Sequence, residues 1–413
     1  MTTANRAEDR AAPLTPSPRL VSVDALRGFD MCWIIGAGTF VQSWIGISRN
    51  PFTIFLNGQM DHVEWEGFGF YDLIYPLFVF LVGVSIVFSQ DKNRGTEPRR
   101  KQVVRILRRG LILYVWNFLF NGGFSTRWPD IRVASGVLAM IAAAYVIAAL
   151  IYCFFADRLK VIAGITLALL LGYWALLGLT PFPDFHLNQK TVNALAEKAG
   201  SRSPAMISAM VPERISGVYE EGYNFSNYAD FRLLPGRMLN RYYESQGLLS
   251  PISASTVCLL GIFAARLLKF QAIEPRRRVL WLAVGGIAAI LLGALWSLEF
   301  PIVKKLWSSS FCLITAGCGA LLLAVFNLIV DVWGFQRWCQ PLVWIGSNSI
   351  VLYLLSRFVN FRDLAKHLVG GNVEDFLNRL LPGSGAAAIE LAALLLMVLV
   401  ARFLHHRRIF LRV

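Results

Sequence analysis

The sequence is short of charge. Only 16% of its 413 residues are Asp, Glu, Lys or Arg, while 56% are hydrophobic; soluble domains carry about 25% charged residues. A soluble globular fold is therefore excluded. Acidic side chains are the scarcer sign, 26 against 40 basic, which leaves a net charge of +14. The six cysteines are scattered and show no metal-ligand spacing, so neither a metal centre nor a disulfide framework is expected. The period-two alternation of a membrane barrel is missing. Residues 1–19 lack the apolar stretch of a cleaved signal and read as a short disordered cytoplasmic tail. No internal repeat is visible.

What the chain has instead is long apolar blocks, such as 133–155, 161–179 and 386–400. These approach or reach the ~20 residues with which a helix crosses ~30 Å of hydrocarbon. The expected fold is all-α: a polytopic membrane protein of about ten spans, forming one transmembrane domain over 20–413. The spans fall near 24–46, 70–90, 103–120, 133–155, 160–179, 248–268, 279–297, 308–331, 341–357 and 385–404. Basic residues collect in every second connection. Lys92, Arg94, Arg99, Arg100 and Lys101 lie in one, and Arg266, Lys269, Arg276, Arg277 and Arg278 in another. By the positive-inside rule these connections and both termini are cytoplasmic. The positive charge is thus read as topology, and no nucleic-acid partner is expected. One outer connection, 180–247, is long enough to predict a functional or partly folded segment. The tract 357–383 is expected to lie at the outer interface as an amphipathic helix.

Ionisable groups in or beside spans are costly and tend to face an interior cavity. Four segments carry them. In Ser22-Val-Asp-Ala-Leu-Arg-Gly28, Asp24 and Arg27 are three apart on one helix face and are expected to pair, with Asp30 deeper in the span. In the second segment, His62 stands among Asp61, Glu64 and Glu66, with Asp72 at the start of the next span. Imidazole suits proton transfer near neutral pH, and a carboxylate can fix its tautomer; the alternative is an ordinary interfacial histidine. The acidic surroundings suit an amine-bearing substrate. The third segment, Lys304-Lys-Leu-Trp-Ser-Ser-Ser-Phe311, brings cations and hydroxyls to an outer mouth, or else anchors the interface through Lys and Trp. The fourth, Trp344-Ile-Gly-Ser-Asn-Ser-Ile350, sets Ser347, Asn348 and Ser349 inside a span, where polar groups glue helices or line a pathway.

These four segments, in this order, resemble the heparan-α-glucosaminide N-acetyltransferase family, and more narrowly its bacterial inner-membrane members. The likeness runs from about residue 19 to 357, interrupted by 180–247. It implies an enzyme that moves an acetyl group from cytoplasmic acetyl-CoA to the amino group of a glucosamine-type sugar or glycan on the other, periplasmic face of the lipid bilayer. Related members imply a homodimer. The family's active-site histidine matches His62. The lysosomal members carry an asparagine about ten residues after the Arg-Gly pair, whereas this chain reads Ile35-Gly-Ala-Gly-Thr39 there. On this reading His62 is the general base, with Asp72 or Glu64 orienting it and Asn348 or Ser347 donating to the oxyanion. Arg27, Arg105, Arg109 and Ser347 would hold acetyl-CoA, and Asp30, Glu66, Lys304 and Ser309 the acceptor. An acetyl-histidine intermediate fits equally. A sugar or metabolite transporter and a glycan O-acetyltransferase remain the competing readings.

Overall fold

The computed structural model describes residues 20–125, 127, 130–133 and 136–410; the polar tail 1–19 lies outside them. The described residues are mostly helical. Helix α1 (Val21–Cys32) passes through a π-helical turn (Trp33–Ala37) into α2 (Gly38–Ile47), and α3 (Pro51–Gln59) follows. Then come α4 (Phe70–Asn93), α5 (Arg99–Phe120), α6 (Val137–Phe155) and α7 (Leu159–Leu179). A small module comprises β1 (Phe182–Pro183), α8 (Gln189–Ala199), α9 (Pro204–Ala209), β2 (Arg214–Ile215), β3 (Tyr219–Glu220), β4 (Tyr223–Asn224) and α10 (Phe225–Leu233). The remainder is α11 (Ser250–Lys269), α12 (Pro275–Trp296), α13 (Ser309–Phe326) with a π-helical end, α14 (Gln340–Ser347), α15 (Ser349–Phe358), α16 (Phe361–Val369), α17 (Asn372–Leu380) and α18 (Ser384–His406).

Among the described residues, seven helices are long and apolar enough to cross a membrane. The three other expected spans are helical too, each with a physical reason for standing apart. The first is interrupted where Gly36 takes φ 151°, a backbone state that favours glycine. Helix α5 opens with a run of arginines and a lysine. The ninth breaks at Asn348, which is shared between α14 and α15. The amphipathic tract after α15 is two short helices, α16 and α17, rather than one.

Helix contacts at the centre are backbone to backbone. A Cβ on Gly28 would fall 1.7 Å from the Leu342 carbonyl oxygen, and one on Gly346 1.9 Å from that of Asp24, so α1 and α14 touch directly. Gly83 and Gly261 bring α4 and α11 together in the same way. In lipid, small residues at an interface let packing and close approach hold helices where the hydrophobic effect does not.

The 180–247 segment is folded, as a connection of that length suggested. Strands β1 and β2 pair antiparallel, as do β3 and β4. Phe185, Leu187, Val192, Ile207, Phe231 and Tyr243 form its own core. It docks on the helical body through Trp65, whose indole N–H donates to the Tyr219 carbonyl at 2.7 Å, and through Lys305, which donates to Glu221 at 2.8 Å.

Candidate active site

The site begins with the start of α4. Asp72 sits in that helix's first turn, where a carboxylate is favoured by the helix dipole and can accept from the free N–H groups. Its Oδ2 accepts from the backbone N–H of Gly69 (3.1 Å) and Val63 (3.3 Å). Its other oxygen, Oδ1, lies 2.9 Å from His62 Nδ1 and accepts from Lys304 Nζ at 3.0 Å. Lys304 Nζ is also 2.8 Å from His62 Nδ1 and 3.4 Å from Nε2. The carboxylate is fully buried while the imidazole is 55% exposed. A buried anchor thus holds a ring that opens on the cavity. Burial pulls the Lys304 ammonium below the ordinary lysine value, against the pull of the Asp72 carboxylate.

Lys304 reaches this position because its loop is tied on all sides. The Gly67 N–H donates to the Ile302 carbonyl at 2.9 Å, and Glu66 pairs with Val303 in a short antiparallel bridge. Ser308 accepts from the Val303 N–H at 3.1 Å, and Ser310 donates to the Phe300 carbonyl at 2.6 Å. Ser253 donates to the Trp307 carbonyl and Tyr173 to that of Leu306. The hydroxyl cluster therefore builds the loop. Ser309, expected at the acceptor, donates instead to the Leu170 carbonyl on α7 at 2.7 Å and is fully buried.

His62 and Lys304 open on a cavity lined also by Tyr71, Tyr75, Phe78, Gln246 and Arg357. A second cavity is lined by Arg27, Ser85, Ser89, Arg109, Ser347 and Asn348. The two adjoin at Phe78, Leu138, Ile141 and Ile350, which line both. A third, more polar cavity adjoins the second at Gln90 and is lined by Arg94, Arg99 and Gln102. One stripe of α4 runs past all three: Tyr71, Ile74, Phe78, Val82, Ser85, Ser89 and Gln90, spaced three or four apart apart from the last pair. At ~1.5 Å per residue, Tyr71 and Gln90 stand about 28 Å apart along the axis. That is close to the ~30 Å of bilayer hydrocarbon.

The remaining expected residues divide. Arg27 pairs with Asp24 at 3.3 Å, as their spacing implied, and donates to Ser85 at 2.6 Å. Arg109 donates to Ser89 at 3.3 Å. Arg105 pairs with Glu97 and lines neither of the first two cavities. Ser347 bonds the Trp344 carbonyl and His405 while lining the second cavity. Asn348 belongs to that second cavity and not to the one holding His62, and both its side-chain polar atoms lack a partner. Glu64 and Glu66 are exposed and line neither cavity, so Asp72 is the carboxylate on the imidazole. Asp30 is fully buried with both oxygens unpartnered, and it too lies outside the lining. Tyr71, Gln246 and Arg357 were not singled out from sequence. Of these only Tyr71 carried a signal, three or four residues before Ile74 and Tyr75 on the face that leads to Phe78.

A family model for the catalytic region of heparan-α-glucosaminide N-acetyltransferase matches residues 19–185. The human heparan-α-glucosaminide N-acetyltransferase is 23% identical over 383 residues, which cover 82% of this chain and 52% of that protein. The chain is thus similar to this family over residues 19–185. The mouse protein of the same name is 24% identical over 400 residues, covering 85% of this chain and 56% of its own length. The chain thus spans about half the length of the curated relatives it matches. Within the heparan-α-glucosaminide N-acetyltransferase family match lie His62, Asp72 and the whole cavity-lining stripe of α4; Lys304, which completes the polar cluster, comes from beyond it.

Proposed function

We propose that the protein is a transmembrane N-acetyltransferase, taking an acetyl group from acetyl-CoA at the arginine-lined end and passing it to the amino group of a glucosamine-type sugar at the His62 end. One observation carries this reading: a single face of α4 joins a cavity rich in cations and hydroxyls to one holding a carboxylate-anchored imidazole. Arg27 and Arg109 suit the phosphates of the donor. The apolar waist at Phe78, Leu138, Ile141 and Ile350 suits its uncharged pantetheine arm. By the positive-inside rule the arginine end faces the cytoplasm and His62 the periplasm of a bacterial inner membrane.

With Nδ1–H donated to Asp72, His62 keeps a lone pair on Nε2 for the acceptor. The sugar's ammonium must first lose a proton to bulk water, which reaches the half-exposed imidazole, to become nucleophilic. The amine nitrogen then attacks the thioester carbonyl carbon while its remaining surplus proton passes to Nε2. Negative charge builds on the carbonyl oxygen, and the Lys304 ammonium, beside the imidazole, is the nearest group able to stabilise it. The C–S bond breaks, and the leaving thiolate takes the proton back from His62. Asp72 holds the ring and balances the imidazolium charge throughout.

The test is His62→Ala protein in detergent or vesicles, supplied with radiolabelled acetyl-CoA and glucosamine. Transfer is expected to fall at least a thousandfold with acetyl-CoA binding kept. Undiminished transfer would sink the assignment. A product labile to hydroxylamine would make it an ester and turn the reading to O-acetylation. Uptake of glucosamine without acetyl-CoA would turn it to transport.

A further inference from the structure

The turn that carries Gln246 is built around one buried carboxylate. Asp230, on α10, is fully buried. Its Oδ2 accepts from the Glu244 N–H at 3.2 Å and its Oδ1 from the Leu248 N–H at 2.8 Å, so one side chain ties both ends of the 244–248 turn. Gly247 lies hard against it: a Cβ there would come within 1.9 Å of Asp230 Oδ2. Glu244 in turn accepts from the Leu239 N–H at 3.0 Å, fixing the approach to the turn. Burial pushes the Asp230 carboxyl up to about 7, against the pull of the two amide donors. A carboxylate is thus kept where its charge is costly, in a place where a neutral side chain would tie a turn with less penalty.

What this turn presents is Gln246. Its side chain lines the cavity shared by His62 and Lys304, and it is the module's one contribution to that lining among the described residues. Its carboxamide makes no hydrogen bond to the described residues. A carboxamide offers two N–H donors and a carbonyl acceptor without charge. That chemistry matches vicinal hydroxyls and does little for an ammonium or a phosphate.

We infer that Gln246 is a specificity-determining residue that hydrogen-bonds ring hydroxyls of the acceptor sugar, and that Asp230 is the positioning residue that holds the Gln246 turn over the cavity. This rests on the acetyltransferase reading above. It gives the module a function that the helical body lacks: the helices supply the chemistry, and the module selects a polyhydroxylated amine over a plain one.

The experiment compares wild type, Gln246→Ala, Asp230→Asn and the double variant, with glucosamine and with a simple alkylamine of similar size as acceptors. Gln246→Ala is expected to raise the glucosamine KM about tenfold and leave the acetyl-CoA KM in place, while the alkylamine KM moves less than twofold. Asp230→Asn, which keeps one acceptor oxygen of the two, is expected to reproduce the glucosamine effect. The double variant should be no worse than Gln246→Ala alone, because both changes act on one contact. Equal losses on both acceptors, or additive losses in the double variant, overturn the inference. So does an unchanged glucosamine KM in Gln246→Ala, a truncation of a partly exposed side chain. Wild-type protein that acetylates neither amine would instead bring down the acetyltransferase reading itself.

Discussion

The two ends of the cavity series are built by opposite means. At the His62 end the central polar groups are engaged: Asp72 receives two backbone amides, an ammonium and an imidazole, and the loop bearing Lys304 is bonded through Ser308, Ser310, Ser253 and Tyr173. At the arginine end Arg27 and Arg109 each donate to a serine hydroxyl, with Asp24 also beside Arg27, and Asn348 keeps both side-chain polar atoms unpartnered. A group left unsatisfied inside a protein costs free energy unless a ligand completes it. The contrast therefore separates a place where atoms must be held from a place where a ligand must be received. On the proposed reading, reaction geometry is fixed in advance at one end and binding capacity is held in reserve at the other.

Substitutions can break that contrast. The largest effect is expected from Asp72→Asn. An amide offers one acceptor atom where the carboxylate supplies two, and it can favour the wrong imidazole tautomer. The turnover number should fall roughly a thousandfold with the acetyl-CoA KM little changed; a loss below tenfold would show that Asp72 only caps α4. Lys304→Met, which keeps the length of the side chain and removes its charge, is expected to lower the turnover number roughly a hundredfold, with partial recovery in Lys304→Arg. A rise in acceptor KM alone would reassign Lys304 to binding. The smallest effect is expected at the arginine end. Arg27→Ala should raise the acetyl-CoA KM about tenfold at constant turnover number. Acetyl-pantetheine, which lacks the nucleotide, should show no such rise, and an equal rise with both donors would mean that Arg27 only braces α1 against α4.

Local pattern carried much of this from the sequence. Apolar blocks located the helices, and the Asp24–Arg27 spacing located their ion pair. The pairing of His62 with Asp72 was legible as one of two options, since both stand at the entry to one span. What escaped was set by contacts distant in sequence. Lys304 comes from 232 residues beyond Asp72, and no spacing rule links them, so it read as a cation at a mouth and not as part of the cluster. Ser309 looked like a hydroxyl for substrate because its true partner, the Leu170 carbonyl, is a backbone group that every residue has. Asn348 was placed beside His62 by its depth in a span; the break between α14 and α15 turns it to the other cavity instead. Glu64 and Asp72 looked interchangeable, and only the first turn of α4 distinguishes them. Gln246 sits in a segment without periodic pattern, where its environment is created by the fold of the module.

The apolar waist has an electrical consequence. A bilayer that holds a potential charges about 2.3 kcal/mol per 100 mV for each elementary charge moved across it, so a water path through a protein that let ions pass would discharge the membrane. Phe78, Leu138, Ile141 and Ile350, all with hydrocarbon side chains, line both cavities where they adjoin, and a hydrophobic constriction sheds water. The same ring refuses phosphate. On the proposed reading, a donor entering from the arginine end would advance its neutral thioester past these side chains while its anionic head stays behind, and the head would become the stopper. Insulation and the stroke length of the donor would then be set by the same four side chains.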